Sequence, residues 1–500
     1  MLYPRSRWLR YPIYFICLVL VVGAADMFWA TSRRTIHPRY DTTRIVEPRL
    51  DDGTIDYLTA IETRFSQGVT PENNSFPVML EALGRVALPK TQPPDGITGR
   101  LGMPPLREKG EYFVSFADFS KMHIAASKDL PAGDGDIPES ESATRPSPLV
   151  DQWIAANEKP MARMHEASLK LRYFVPFNGG NRPGMLISVL LPHLSPIRQI
   201  SQAFAIRSHA RAAAGDVAGA RDDAVTMHRL ARLLGQAPTL IERIVAIAID
   251  INACKADRAI AATGKMSAAD LRDYAAELSA LGDLEGAVPA IDAGERFIVL
   301  DAIQRMAHLS PMEAGRLYHS MSNDGSAPAP FLFPFLPIPY EQSMIDANAS
   351  YDGLLAALRE PTYAQRHEAI ERWTQGIQEV SRGNFLSSKD SPLHLCYPDW
   401  ALQLFMPSLS RFQTRWETDR AQLRLTQIAL LLDAWKLDHH EYPASLDDLA
   451  ADAKKPLPLD NFTDRPLVYA RSSTGYTLHS PGPDMIDNGG KGDDIAVESK

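Results

Sequence analysis

The chain has 500 residues of which 45% are hydrophobic, enough for several domains that each bury a core, and this excludes a disordered protein. Its formal net charge of −9 lacks the basic footprint that phosphate neutralisation demands, which excludes nucleic acid as a partner. Cys17, Cys254 and Cys396 show no C-x-x-C spacing and make no disulfide framework. Cys254 and Cys396 either pair in an oxidising compartment or stay two separate buried thiols.

The first predicted element is a membrane anchor. "YPIYFICLVLVVGAADMFWA", residues 11–30, carries the single charge Asp26 near its far end and has the length a helix needs to cross hydrocarbon. Arg5, Arg7 and Arg10 precede it, so the positive-inside rule places the N-terminus in the cytoplasm. The expectation is one transmembrane helix in the inner membrane, with the bilayer as partner and the bulk of the chain extracytoplasmic. The small residues of "VVGAA" leave a cleaved signal peptide as the alternative.

A mixed, mostly helical region is expected over 35–130. Ile55, Leu58, Ile61 and Phe65 recur at helical spacing and stop at Gly68, after which Thr70 and Pro71 read as the start of a second helix. "EYFVSFADFS" reads as a strand or an irregular apolar piece, and residues 131–148, "PAGDGDIPESESATRPSP", have the composition of a linker.

Residues 149–410 read as a helical domain, an irregular bundle. "SQAFAIRSHARAAAGDVAGARDDAVTMHRLARLLG" gives two amphipathic helices joined at Ala-Gly-Asp; this hairpin, residues 200–235, resembles a tetratricopeptide-like unit, although no 34-residue period is sustained. Ser267 with Asp270 approximates a capping box for a further helix. "TLIERIVAIAIDINACKADRAI" is interrupted by Glu242, Arg243 and Asp250, so it reads as a buried helix of a soluble core, its acids paired with Arg243 or Arg258. The proline-rich "PAPFLFPFLPIP" at 328–339 is an extended segment.

Residues 411–500 form the last predicted unit. Ala421, Leu425, Ile428, Leu432 and Trp435 make one apolar stripe on a long helix that needs a partner surface. His439 and His440 fall at its end, where an imidazolium favourably faces the helix dipole. Ser445 caps a short helix, and "RPLVYARSSTGYTLHS" reads as a hairpin. An acidic glycine loop follows, in which Asp484, Asp487, Asp493 and Asp494 are candidate metal ligands. Calcium takes oxygens in flexible geometry, which such a loop supplies, and a solvated tail without metal is the alternative. Ile486 and Ile495 stand where an EF-hand needs an oxygen ligand and a glutamate, so that motif is excluded.

The order long helix, "YPASLDDL", "LPLDNFTDRPLVYA", "GYTLHSPGPD", glycines, "DDI" resembles the globular domain of the major pseudopilin of type II secretion systems over residues 412–497. The resemblance implies a small α+β fold, with a long helix on an antiparallel sheet and a structural calcium ion in the loop before the last strand. It implies Asp484 as a carboxylate ligand, with Asp493 and Asp494 as the later acidic pair. "VVGAADMFWA" lacks the family's glycine-aromatic-glutamate processing signature, and a long body separates the apolar stretch from the module, so assembly as a pilus subunit is not expected.

No H-E-x-x-H, G-x-S-x-G, phosphate-binding or dinucleotide fingerprint is present. The fold expectation is therefore a mainly α chain with a C-terminal α+β module. The functional expectation is a noncatalytic envelope scaffold with an envelope protein as partner, the alternative being an envelope hydrolase. A cleft gathering histidines and carboxylates of residues 150–400 would favour the enzyme.

Overall fold

The computed structural model describes residues 35–93, 95–124, 148–180, 184–310, 312–314, 316, 340–383, 399–473 and 475–498. The apolar stretch at 11–30, the linker apart from Pro148, the proline-rich segment, Cys17 and Cys396 lie outside these residues. Among the described residues no helix is long and apolar enough to cross a membrane. The chain is mainly helical, with a small three-stranded sheet near its C-terminus.

Helix α1 (Tyr57–Phe65) is capped by Asp56, whose carboxylate accepts from the Thr59 amide, and it buries Leu58 and Ile61 as the spacing predicts. The second helix starts later than expected. Asn73 accepts the Thr70 amide in a closed polar turn, and α2 (Phe76–Leu83) begins after it, with Pro77 in its first turn. Past the short α3 (Gly96–Arg100), the "EYFVSFADFS" stretch is a helix in its second half, α4 (Phe116–Ile124). The Ser115 hydroxyl there accepts the Asp118 amide at 3.1 Å and donates to its carboxylate at 2.7 Å, a local cap that overrides the strand-like composition.

Helices α5 (Pro148–Ala156) and α6 (Glu158–Ser168) lead into the hairpin of α7 (Leu194–Ala214) and α8 (Val217–Leu234). Gly215 ends α7 at φ 94°, a left-handed conformation that glycine adopts without steric cost, and Asp216 caps α8 through the Gly219 amide. Asp223 on α8, 1% exposed, accepts from Arg207 at 2.6 and 3.0 Å and from Arg211 at 3.0 Å, which ties the two helices together. Helix α9 (Leu240–Ala261) packs on both, and α10 (Ala268–Leu281) opens on the reciprocal Ser267–Asp270 capping box. A π-helical turn, Ala290–Glu295, passes into α11 (Arg296–His308), followed by α12 (Tyr340–Leu358) and α13 (Tyr363–Gly383).

Helix α14 (Asp399–His439) is the long predicted helix, and α15 (Leu446–Ala453) follows with Ser445 and Asp448 as its capping box. The stripe of Ala421, Leu425, Ile428 and Leu432 is fully buried against Phe462, Leu467, Leu478 and Val497 of the C-terminal module. A second face, with Leu423, Leu430 and Ala434, belongs to the core of the helical body. The boundary expected at 410/411 thus falls within α14, which body and module share. Strands β1 (Val468–Arg471), β2 (Tyr476–Ser480) and β3 (Ile495–Glu498) form an antiparallel sheet in chain order, with Val468 opposite His479 and Ser480 opposite Ile495.

Candidate metal centre in the C-terminal loop

Residues 481–494 join β2 to β3 and fold back over the end of the sheet. Gly482, at φ 72°, makes this possible: a Cβ there would stand 2.3 Å from the Asp493 carbonyl oxygen, so only glycine lets the start of the loop lie against its end. In β2, Leu478 and Ser480 face the core, and the pleat turns His479 to the other face. Loop residues cover it there, leaving it 5% exposed.

Three donors converge. The His479 Nε2 lies 2.8 Å from Asp487 Oδ1 and 3.7 Å from Asp494 Oδ2. The ligating atoms offered by the three residues all fall within 4.8 Å of one another. Backbone amides fix the carboxylates: Gly489 donates to Asp487 at 2.8 Å, while Asn488 and Gly490 donate to Asp494 at 3.0 and 2.7 Å. The His479 contact, then the Gly489 amide, lower the pKa of Asp487. Asp494 Oδ1 and His479 Nδ1 are buried and have no hydrogen-bond partner among the described residues.

Of the four aspartates singled out in the sequence, Asp487 and Asp494 meet in this cluster and the other two do not. Asp484 accepts the Ile486 amide at 2.8 Å and Asp493 accepts from the Asn488 side chain at 3.3 Å. Sequence reading missed His479. A signal existed: it is the last outward-facing residue of a strand that runs straight into an acidic, glycine-rich reversal, where a chain turning back must cover it. An imidazole nitrogen among the donors does not suit calcium, which takes oxygens, whereas an ion of the zinc class binds histidine with carboxylates.

A second gathering lies deep in the helical body. His228 on α8 contacts Asp250 Oδ1 at 2.6 Å through Nδ1 and Asp257 Oδ2 at 2.9 Å through Nε2, both from α9. Arg232 donates to Asp250 at 2.6 Å, and the Tyr274 hydroxyl of α10 donates to Asp257. Asp250 therefore pairs with His228 and Arg232, not with Arg243 or Arg258 as the sequence suggested. Glu242 is fully buried and accepts the hydroxyls of Thr239 at 2.7 Å and Tyr173 at 3.1 Å. Cys254 sits beside the cluster as a free thiol whose pKa burial pushes up. His228, Asp250 and Asp257 are each 0% exposed; Asp250 Oδ2 has no hydrogen-bond partner among the described residues and Cys254 lies within ligating distance of His228 and Asp257, but the cluster is closed to solvent and offers no path for substrate.

His439, at the end of α14, stacks on Trp435 with ring centroids 4.0 Å apart and is exposed, away from both clusters. Comparison of the chain with protein-family models, with curated proteins and with solved structures gives no match to any of them.

Proposed function

We propose that this protein is a membrane-anchored, extracytoplasmic, noncatalytic interaction scaffold whose C-terminal module is fastened by a divalent ion. The observation that carries the noncatalytic reading is the closure of the His228 cluster. It gathers a histidine and two carboxylates as an active site would, yet no atom of them reaches solvent and they are consumed in bracing α8, α9 and α10. Glu62, which does border a surface cleft of about 470 Å³, has both oxygens held by Arg100 at 2.9 Å and accepts the Phe177 amide at 2.7 Å. A hydrolase that works through paired acids, the alternative left open by the sequence, needs a carboxyl free to meet substrate.

The anchor rests on the apolar stretch at 11–30 and the arginines ahead of it. The likeness of the module to a pseudopilin domain rests on the order of its sequence pieces, with which a long helix over an antiparallel sheet agrees. For the fastening ion, the nitrogen of His479 favours the zinc class over the calcium that the resemblance implies.

A reporter enzyme that works only outside the cytoplasm, fused after Lys500 of the full chain, tests the reading. Activity of the reporter in a membrane fraction that resists alkaline extraction is expected, with proximity labelling from the same position recovering a reproducible set of envelope proteins. A reporter silent there and labelling confined to cytosolic proteins would end it.

A further inference from the structure

A cavity of about 690 Å³ opens where the helical body meets the C-terminal module, between the last turns of α9, the start of α10, α14 and the edge formed by β3. Its walls are largely apolar, with Met266, Leu271, Leu430 and Val497 among them, and its size is that of a site for a small organic ligand. Three charged side chains line it: Arg258, Asp433 and Lys436. Two of them are engaged with one tyrosine. Asp433 accepts the Tyr442 hydroxyl at 3.2 Å, and the Lys436 ammonium lies 4.6 Å from the centre of the Tyr442 ring. Arg258 donates one hydrogen bond, to the Thr426 hydroxyl at 2.5 Å, and forms no ion pair with any carboxylate among the described residues.

An arginine without a counter-ion, facing an apolar cavity, is a receptor for an anion with an apolar body. We infer that this cavity binds a carboxylate-headed amphiphile, its head on the Arg258 guanidinium and its hydrocarbon along the α9, α10 and α14 walls. The planar fork of guanidinium matches a carboxylate in two parallel hydrogen bonds. A dianionic head is disfavoured because Asp433 shares the cavity, and a cationic head is disfavoured by Arg258 and Lys436. The cavity shares no side chain with the metal cluster, although Ala496 of its wall lies opposite His479 in the sheet.

The test uses the full chain in its native membranes and a medium-chain fatty carboxylate bearing a photoreactive diazirine, beside the matching alcohol and the matching quaternary ammonium compound. The expected result is carboxylate cross-linking to peptides spanning 258–271 and 429–442, with little from the other two probes. Arg258→Gln should reduce that labelling about tenfold or more, the weight of a charge-assisted bidentate pair, and Arg258→Lys by less. Ala262→Trp keeps the arginine and fills the cavity, so it should abolish labelling even if Arg258→Gln unfolds; thermal melting of each variant tells these cases apart. Equal labelling by the alcohol, stronger labelling by the ammonium probe, or full labelling of a folded Ala262→Trp variant would overturn the inference.

Discussion

His228 on α8 meets Asp250 on α9 at 2.6 Å with neither side chain exposed to solvent, and the far nitrogen of the same ring meets Asp257. Burial opposes charge on this imidazole, but the two carboxylates outweigh it and raise its pKa from 6.5 to about 9. Asp419 of α14 faces the same group. Burial, then the charge of Asp250, push its pKa well up.

From the raised pKa of His228 follows a pH dependence. The folded pKa of His228 lies above its unfolded value, so its contribution is fully present below pH 6.5 and is lost as pH rises through about 9. Denaturant melts across that interval should show falling stability, by an amount on the order of 3 kcal/mol. His228→Gln should remove this slope and cost about 3–5 kcal/mol at neutral pH, because it leaves buried carboxylates without their partner. A variant as stable as the parent would mean the cluster is open to water.

Asp433 behaves in the opposite sense for an acid. Burial raises it from 3.8 to about 6, against the smaller lowering by the Tyr442 hydroxyl and Lys436. Its protonated form is the one the fold prefers, so stability is highest below pH 3.8 on this account and falls as pH rises through about 6. Asp433→Asn retains an acceptor for Tyr442 and removes the charge. It should stabilise the protein at pH 7 by up to about 2 kcal/mol and flatten the slope in the acid range, as read by thermal melts at several pH values.

The helical character was legible because it is written locally. Capping boxes at Ser267–Asp270 and Ser445–Asp448 need only residues three apart, and the stripe from Ala421 to Leu432 needs only the helical period. Pairings across helices were not legible. Asp250, Cys254 and Asp257 lie on one face of α9, but which side chains of a neighbouring helix that face meets, here His228 and Arg232 of α8, depends on how the helices rotate once packed. The same limit hid His479, since strand pairing and loop closure together decide what covers it. At Thr70 a local polar turn competed with a helix start and won.

Gly482→Ala tests the closure of the loop. The added Cβ would meet the Asp493 backbone carbonyl oxygen at 2.3 Å, and alanine is itself strained at φ 72°. The two effects together should cost more than about 2 kcal/mol and expose the loop to limited proteolysis between β2 and β3. A parental digestion pattern would show that the loop does not lie against its own end.

Metal addition and removal test the cluster that this closure builds. With Zn²⁺ at about 100 times its dissociation constant, the full chain should gain about 2.7 kcal/mol of stability, and a chelator should reverse the gain. His479→Ala and Asp494→Asn should each abolish it, whereas Asp484→Asn, whose carboxylate serves the Ile486 amide, should leave metal binding in place. Calorimetry with Ca²⁺ separates the two ion classes: calcium needs oxygens and should give little heat, while a calcium response that survives His479→Ala but is lost in Asp484→Asn would place the ion on the aspartates alone. Absence of any response to either ion would leave His479 paired with Asp487, a polar lock made without metal.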